Sequence, residues 1–427
     1  MLRLAIAIAI LFASFGAGSG KGADCGVLGD CRAGAYSADG YNLAALAGVD
    51  PTGVKDSTAA INAAFSQVCS QTNAKVVVPA GATFKISSTI EISGCTGLLL
   101  DCESGAGHKG GFVWNGPPGG TVMEINRTGH SIFRGCQIYA GTANIGLNID
   151  ESPTGSTITT HNTFEHITVS QNSGAPNARF IGIDLASAGP GNVEQQIFRD
   201  ILLYCGNTPN SGITATSNGI GFLIPDVAGP EPFHVVLSDF EIGNCSRGID
   251  IHGADTELIE IEGGLTENDY TDLMIESGHL IEYRHVRSEG AVMPVVLSSG
   301  DQIIIDHAVF SGLPKGGTAI SLPKNNATDL TVSYSEWDDE DPTQTVISRN
   351  ISGHTVLLNN RYRPGCPDLS GFGAVIQLMS MDPPTMCDTY FNWGLSATPL
   401  RMGLPTKNPH VPGALWNNGG VVSVSSG

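Results

Sequence analysis

The sequence predicts an all-β fold, a parallel β-helix closed at its N-terminal end by one capping helix. Three observations carry that expectation. Charged residues make up 15% of the 427, and 55 are glycine, a balance suited to many short strands joined by tight turns. Short alternating strands recur from about residue 130 onward, at intervals that tighten to about 22 residues between 248 and 307. One segment, around Ile61, carries the apolar spacing of a helix.

Taken in order, the chain begins with Met1-Leu2-Arg3, an apolar run Leu4–Phe15 and a small-residue stretch Gly16–Ala23. That is the order of a secretory signal peptide, assigned to residues 1–23 with the cleavage point left open between Ala17 and Ala23. The apolar run is too short for a membrane span, which needs about 20 residues. All ten cysteines follow it, so an exported, disulfide-bonded protein is expected. Cys25–Cys31 and Cys366–Cys387 are the local pairings the spacing suggests, and no C-x-x-C exists to hold zinc.

The capping helix spans 57–69, with Ile61, Ala64, Phe65 and Val68 on one side and Asp56 or Ser57 as its cap. Strands follow at Val76–Val78 and Phe84–Ile86. The repeating body alternates two strand types. One runs through Phe164–Val169, Phe198–Leu203, Val236–Ile242, Ile259–Ile261, Ile281–Tyr283 and Ile303–Ile305. The other opens on glycine at Gly146–Ile149, Gly182–Leu185, Gly219–Phe222 and Gly248–Ile251. Intervals this short leave no room for crossover helices, which excludes a doubly wound sheet. The expected organisation is a β-helix over 24–365 and a tail, 366–427, packed on it.

Gly48-Val49-Asp50-Pro51-Thr52-Gly53, then Asp56–Ala64, then Val76–Ile86 resembles the N-terminal signature of the pectate-lyase-like superfamily. The branch nearest in pattern is the rhamnogalacturonase/epimerase-like one. The resemblance implies a right-handed parallel β-helix. It implies little about chemistry, because hydrolases, lyases, epimerases, tailspikes and inert proteins share that start. Where polygalacturonases carry a catalytic aspartate, this chain has Arg247. Tyr270-Thr271 replaces the Asp-Asp pair and Met293 the histidine.

The 22-residue spacing suggests other constellations. Residues so separated would stack on neighbouring coils about 4.8 Å apart. Glu262, Arg284 and Asp306 would form one outward column, Asp250 and Asp272 a second, His285 and His307 a third. Carboxylates one or two coils apart match the separations used in glycoside hydrolysis. An arginine between them would orient a uronate carboxylate or serve in β-elimination. The expected catalytic set is therefore Asp250, Asp272, Glu262, Arg284 and Asp306. Arg247, Tyr270, His285 and Trp337 are expected to bind substrate. The acidic loop Glu336–Asp341 offers oxygen ligands for Ca²⁺, though nothing in the sequence requires a cofactor. Glu–Arg–Asp columns also arise as ordinary cross-strand ion pairs.

With 41 acidic against 21 basic residues and a formal charge of −20, nucleic acid and anionic membranes are excluded as partners. The expected ligand is an extracellular polysaccharide, cut by hydrolysis or elimination. The alternative is a non-catalytic glycan-binding or tailspike-like surface protein. Shared placement of the charged columns and of Tyr270, Tyr283 and Trp337 on one face would favour the enzyme; placement on opposite faces would deprive it of that site. No trimer signal is present, so the oligomeric state is open.

Overall fold

The computed structural model describes residues 40–363 apart from 104–110, 151–157, 172–178, 187–191, 207–212, 217–218, 228–231, 323–327, 340 and 349–352. It also describes residue 367 and four tail strands. Residues 1–23, expected as a signal peptide, and the expected Cys25–Cys31 and Cys366–Cys387 pairings lie outside the described residues. The chain is a parallel β-helix. Each coil contributes two strands to a large sheet and one to a ten-stranded sheet, as in Glu257–Glu262, Leu265–Glu267 and Thr271–Ile275. The next coil repeats the unit in register, with Ile259 on Ile281 and then Ile303.

Stacking of like residues builds the core. One inward column runs Leu100, Phe133, Phe164, Phe198, Leu237, Ile261, Tyr283, Ile305. The rings of Phe133, Phe164 and Phe198 lie nearly parallel, with centroids 5.0 and 4.7 Å apart. Each such side chain contributes about 1.5–3 kcal/mol on burial. At the corner between the first two strands of a coil, the backbone turns through the left-handed region. His166, Asp200, Asp239, His285, His307, Tyr334 and Asn359 stack there with φ between 48° and 54°. Histidine, aspartate and asparagine tolerate that conformation best among non-glycine residues.

The helix forms over Thr58–Val68 and buries Ile61, Phe65 and Val68 against the first coil. Its N-terminal cap is provided by Asp56, whose Oδ1 accepts from Thr58 N at 3.2 Å, while Ser57 makes no capping bond. Asn62 fastens the helix to the strand Ile90–Ser93, donating to Thr89 O and accepting from Glu91 N. Three disulfides, Cys69–Cys95, Cys102–Cys136 and Cys205–Cys245, join neighbouring coils. Parallel pairing continues past residue 365, with Ala374–Leu378 on His354–Leu358, before Tyr390–Trp393 adds antiparallel. No helix among the described residues is long and apolar enough to cross a membrane.

Candidate active site

The expected catalytic residues divide among three environments. Glu262, Arg284 and Asp306 do stack in one outward column. That column, however, is the far end of a ladder running Asp101, Arg134, Glu165, Arg199, Ser238, Glu262, Arg284, Asp306, Ser333 along the large sheet. Charge alternates along most of it, as it does wherever cross-strand pairs steady a sheet. Arg284 pairs with Glu282 at 2.8 Å, Glu262 faces His285 at 3.5 Å, and Asp306 accepts from Ser333 Oγ at 2.6 Å.

Asp250 and Asp272 do not stack. Asp250 lies beside Met274, two residues further on. The turn His252–Thr256 is two residues longer than the turn Glu276–Gly278, so this coil has 24 residues rather than 22. Asp272 instead continues a glycine column, Gly146, Gly182, Gly221, Gly248, at the start of the ten-stranded sheet. There a Cβ would meet the inward side chains Val169, Leu203 and Ile242, or the backbone of the next coil. Asp272 therefore points into the solenoid. It accepts a short hydrogen bond from Ser288 Oγ and meets Asp269, itself held by Cys245 N at 2.6 Å. Burial, with Asp272 beside it, pushes Asp269 well above the carboxylate range, and burial lifts Asp272 to about 7.

Trp337 is not a sugar platform. It is 3% exposed, packed between Phe310 and Tyr362 at centroid distances of 5.3 and 4.9 Å. Its even spacing within a strand pair made it core. Trp337→Ala is expected to cost about 3–5 kcal/mol, seen as a lowered Tm with unchanged glycan retention in the folded fraction. Tyr283 is likewise buried. Tyr270 is half-buried at the corner entering Thr271–Ile275. His285 is exposed on the other corner, stacked on His307 at 4.9 Å, which stacks in turn on Tyr334 at 5.0 Å. Glu336, Asp338 and Asp339 of the acidic loop face protein partners: Glu336 pairs with Arg361 at 2.9 Å, Asp338 with Arg363 at 2.8 Å, and Asp339 accepts from Leu313 N at 2.8 Å.

What gathers chemistry is the outer face of the ten-stranded sheet. One column there runs Glu91, Glu124, Asn148, Asp184, Leu223, Asp250. The next position along holds Asn126 and Asp150 in the early coils. Asp150, Asp184 and Asp250 are all nine-tenths buried or more. Burial, helped by the Asp150 charge, raises Asp184 to about 7. Its Oδ1 and the Oδ1 of Asn148 on the adjoining coil have no hydrogen-bond partner.

Two coils further on, Arg247, Asp250, His252 and Glu276 form a closed ion cluster. Arg247 Nη1 lies 2.7 Å from Asp250 Oδ2, and His252 spans Asp250 Oδ1 at 2.8 Å and Glu276 Oε2 at 3.2 Å. The contact with Asp250 raises the imidazole above its ordinary value. Asp250, His252 and Glu276 are near enough together to hold a metal ion. Both ring nitrogens of His252 already face carboxylates, and Arg247 supplies positive charge among the three. The cluster therefore balances itself. The 22-residue spacing missed Asp150 and Asp184 because the early coils are longer, and missed the pairing of His252 with Glu276 because the turn between them adds two residues. The repeated Gly-Ile-Asp of Gly182–Asp184 and Gly248–Asp250 was the available signal.

Parallel sheets, short coils and a single α-helix among the described residues define the class of protein as a β-helix solenoid. No protein-family model matches the chain, and no curated protein matches it. Among solved structures it is similar to the catalytic unit of the GH87 α-1,3-glucanase from Streptomyces thermodiastaticus strain HF3-3. The TM-score is 0.50 at 15% identity, over 80% of this chain and 68% of that one. It is also similar to the Streptococcus pneumoniae surface adhesin PfbA, with TM-score 0.49, 10% identity, and coverage of 83% and 100%. The alginate lyase of Paenibacillus sp. str. FPU-7 gives 0.42, 14%, 73% and 95%. At such identities the likeness concerns the fold.

Proposed function

We propose that this protein is a secreted glycoside hydrolase that cuts an extracellular polysaccharide on the outer face of its ten-stranded sheet. The carrying observation is the Asp150/Asp184 pair: two acids on adjoining coils, one of which keeps its proton to about pH 7. Two carboxyl groups in opposite protonation states are what glycosidic cleavage uses. Asp184 donates its proton to the glycosidic oxygen as the bond to the anomeric carbon breaks. Asp150 takes a proton from the water that adds to that carbon. Diagonal neighbours on a sheet lie about 7–8 Å apart, within the roughly 6.5–9.5 Å that leaves room for the water and inverts the anomeric centre. Elimination has less support, since Arg284 belongs to the charge ladder of the other sheet.

The test is a polysaccharide panel followed at once for new reducing ends and for the absorbance of unsaturated uronates. Reducing ends without the chromophore are expected. The chromophore would move the assignment to a lyase. Retention on a glycan column with neither signal would make the protein a binding module.

A further inference from the structure

Resting on that reading, we infer that the ten-stranded face takes a glycan chain free of carboxylate and sulfate groups. Its outward-facing charged residues are Glu91, Glu124, Asp150, Asp184 and Asp250, and the one cation within these strands, among the described residues, is Arg247. That guanidinium is already engaged: Nη1 sits 2.7 Å from Asp250, 3.2 Å from His252 and 3.7 Å from Glu276. Beyond the strand ends, Arg127 donates to Ser93 Oγ at 2.6 Å. Within the described strands of this face, no cation besides the engaged Arg247 is placed to receive an anionic sugar.

The unpartnered oxygens point the same way. Asn148 Oδ1 and Asp184 Oδ1 are stacked on adjoining coils, buried, and without hydrogen-bond partners. The amide oxygen of Asn148 can only accept, so it calls for a donor, and a sugar hydroxyl is one. A carboxylate or sulfate brings acceptors and a like charge into a floor that excludes much of the screening water. The chain's formal charge of −20 adds long-range repulsion of polyanions. An amine-bearing sugar meets no such barrier.

A matched pair of polymers separates charge from linkage. The intact protein is assayed on each neutral polysaccharide of the panel and on the same polymer oxidised at its primary hydroxyls to carboxylates, with EDTA and again with Ca²⁺. Release and retention are both recorded. Preference for the neutral form by about tenfold or more, narrowing as salt is raised, is expected. Glu91→Gln with Glu124→Gln should narrow it too. Equal or better cleavage of the oxidised form, or of a natural polyuronate with or without Ca²⁺, overturns the inference and leaves the hydrolase reading standing. Retention of neutral chains without turnover overturns the hydrolase reading and supports the inference. Neither retention nor turnover on any polymer overturns both.

Discussion

Asp184→Asn is expected to lose hydrolysis of natural chains by about 10²–10⁴-fold. Asparagine keeps the shape and cannot give a proton. In the unaltered protein the same group sets the alkaline limb. Asp184 must be protonated, so kcat/KM should fall about tenfold per pH unit above roughly pH 7, where burial and Asp150 have placed it. Asp150 must be ionised to take the proton from water. A glycoside whose leaving group needs no proton should restore much of the lost rate in Asp184→Asn, and the alkaline limb should vanish. A purely structural aspartate would give neither result. Arg284→Gln is the control, since its ion pair with Glu282 lies on the other sheet. It should change stability by less than about 1 kcal/mol and leave the pH profile alone. An Asp184→Asn protein with its pH profile intact would remove this residue from the chemistry.

Asp272→Asn is expected to stabilise the protein at pH 8 while leaving it nearly unchanged at pH 4. Below about pH 4 both folded and unfolded chains hold the proton, so the buried acid costs nothing there. As pH rises, the unfolded chain ionises freely while Asp272 holds its proton to about pH 7 and burial also holds Asp269 well above the carboxylate range. Stability is lost across that interval, on the order of 4 kcal/mol for a shift of this size. Asp184 and Glu267 are raised and add to the loss; so does His252, whose stabilising charge goes as pH rises through its folded value. Asp101 and Asp306 run the other way, held low by Arg134 and by Ser333 and His307, and their contribution is lost as pH falls below about 4. Maximum stability therefore lies near pH 4–5. Thermal melts from pH 3 to 9 read both limbs. A flat wild-type profile between pH 5 and 8, with Asp272→Asn destabilised throughout, would mean that burial does not hold the proton on Asp272.

The contrast between Asp272 and Glu262 shows how far the sequence carried. Ile261, Tyr283 and Ile305 alternate with Glu262, Arg284 and Asp306 at one fixed spacing, so the inward and outward columns of those coils could be read directly. Coil spacing, the N-terminal helix and the solenoid were legible for the same reason: alternation and periodicity are local. The partners of Asp250 were not. They depend on two extra residues in the turn His252–Thr256, and a two-residue slip keeps the strand pattern while changing every neighbour. Nor could the sequence show that Trp337 lies between Phe310 and Tyr362. Local pattern determined which side chains line the solenoid and which alternate with them. Only the tertiary structure decided which acids meet across coils, because register accumulates over every turn length before it, and burial, which moves Asp184 and Asp272, exists only once the coils are stacked.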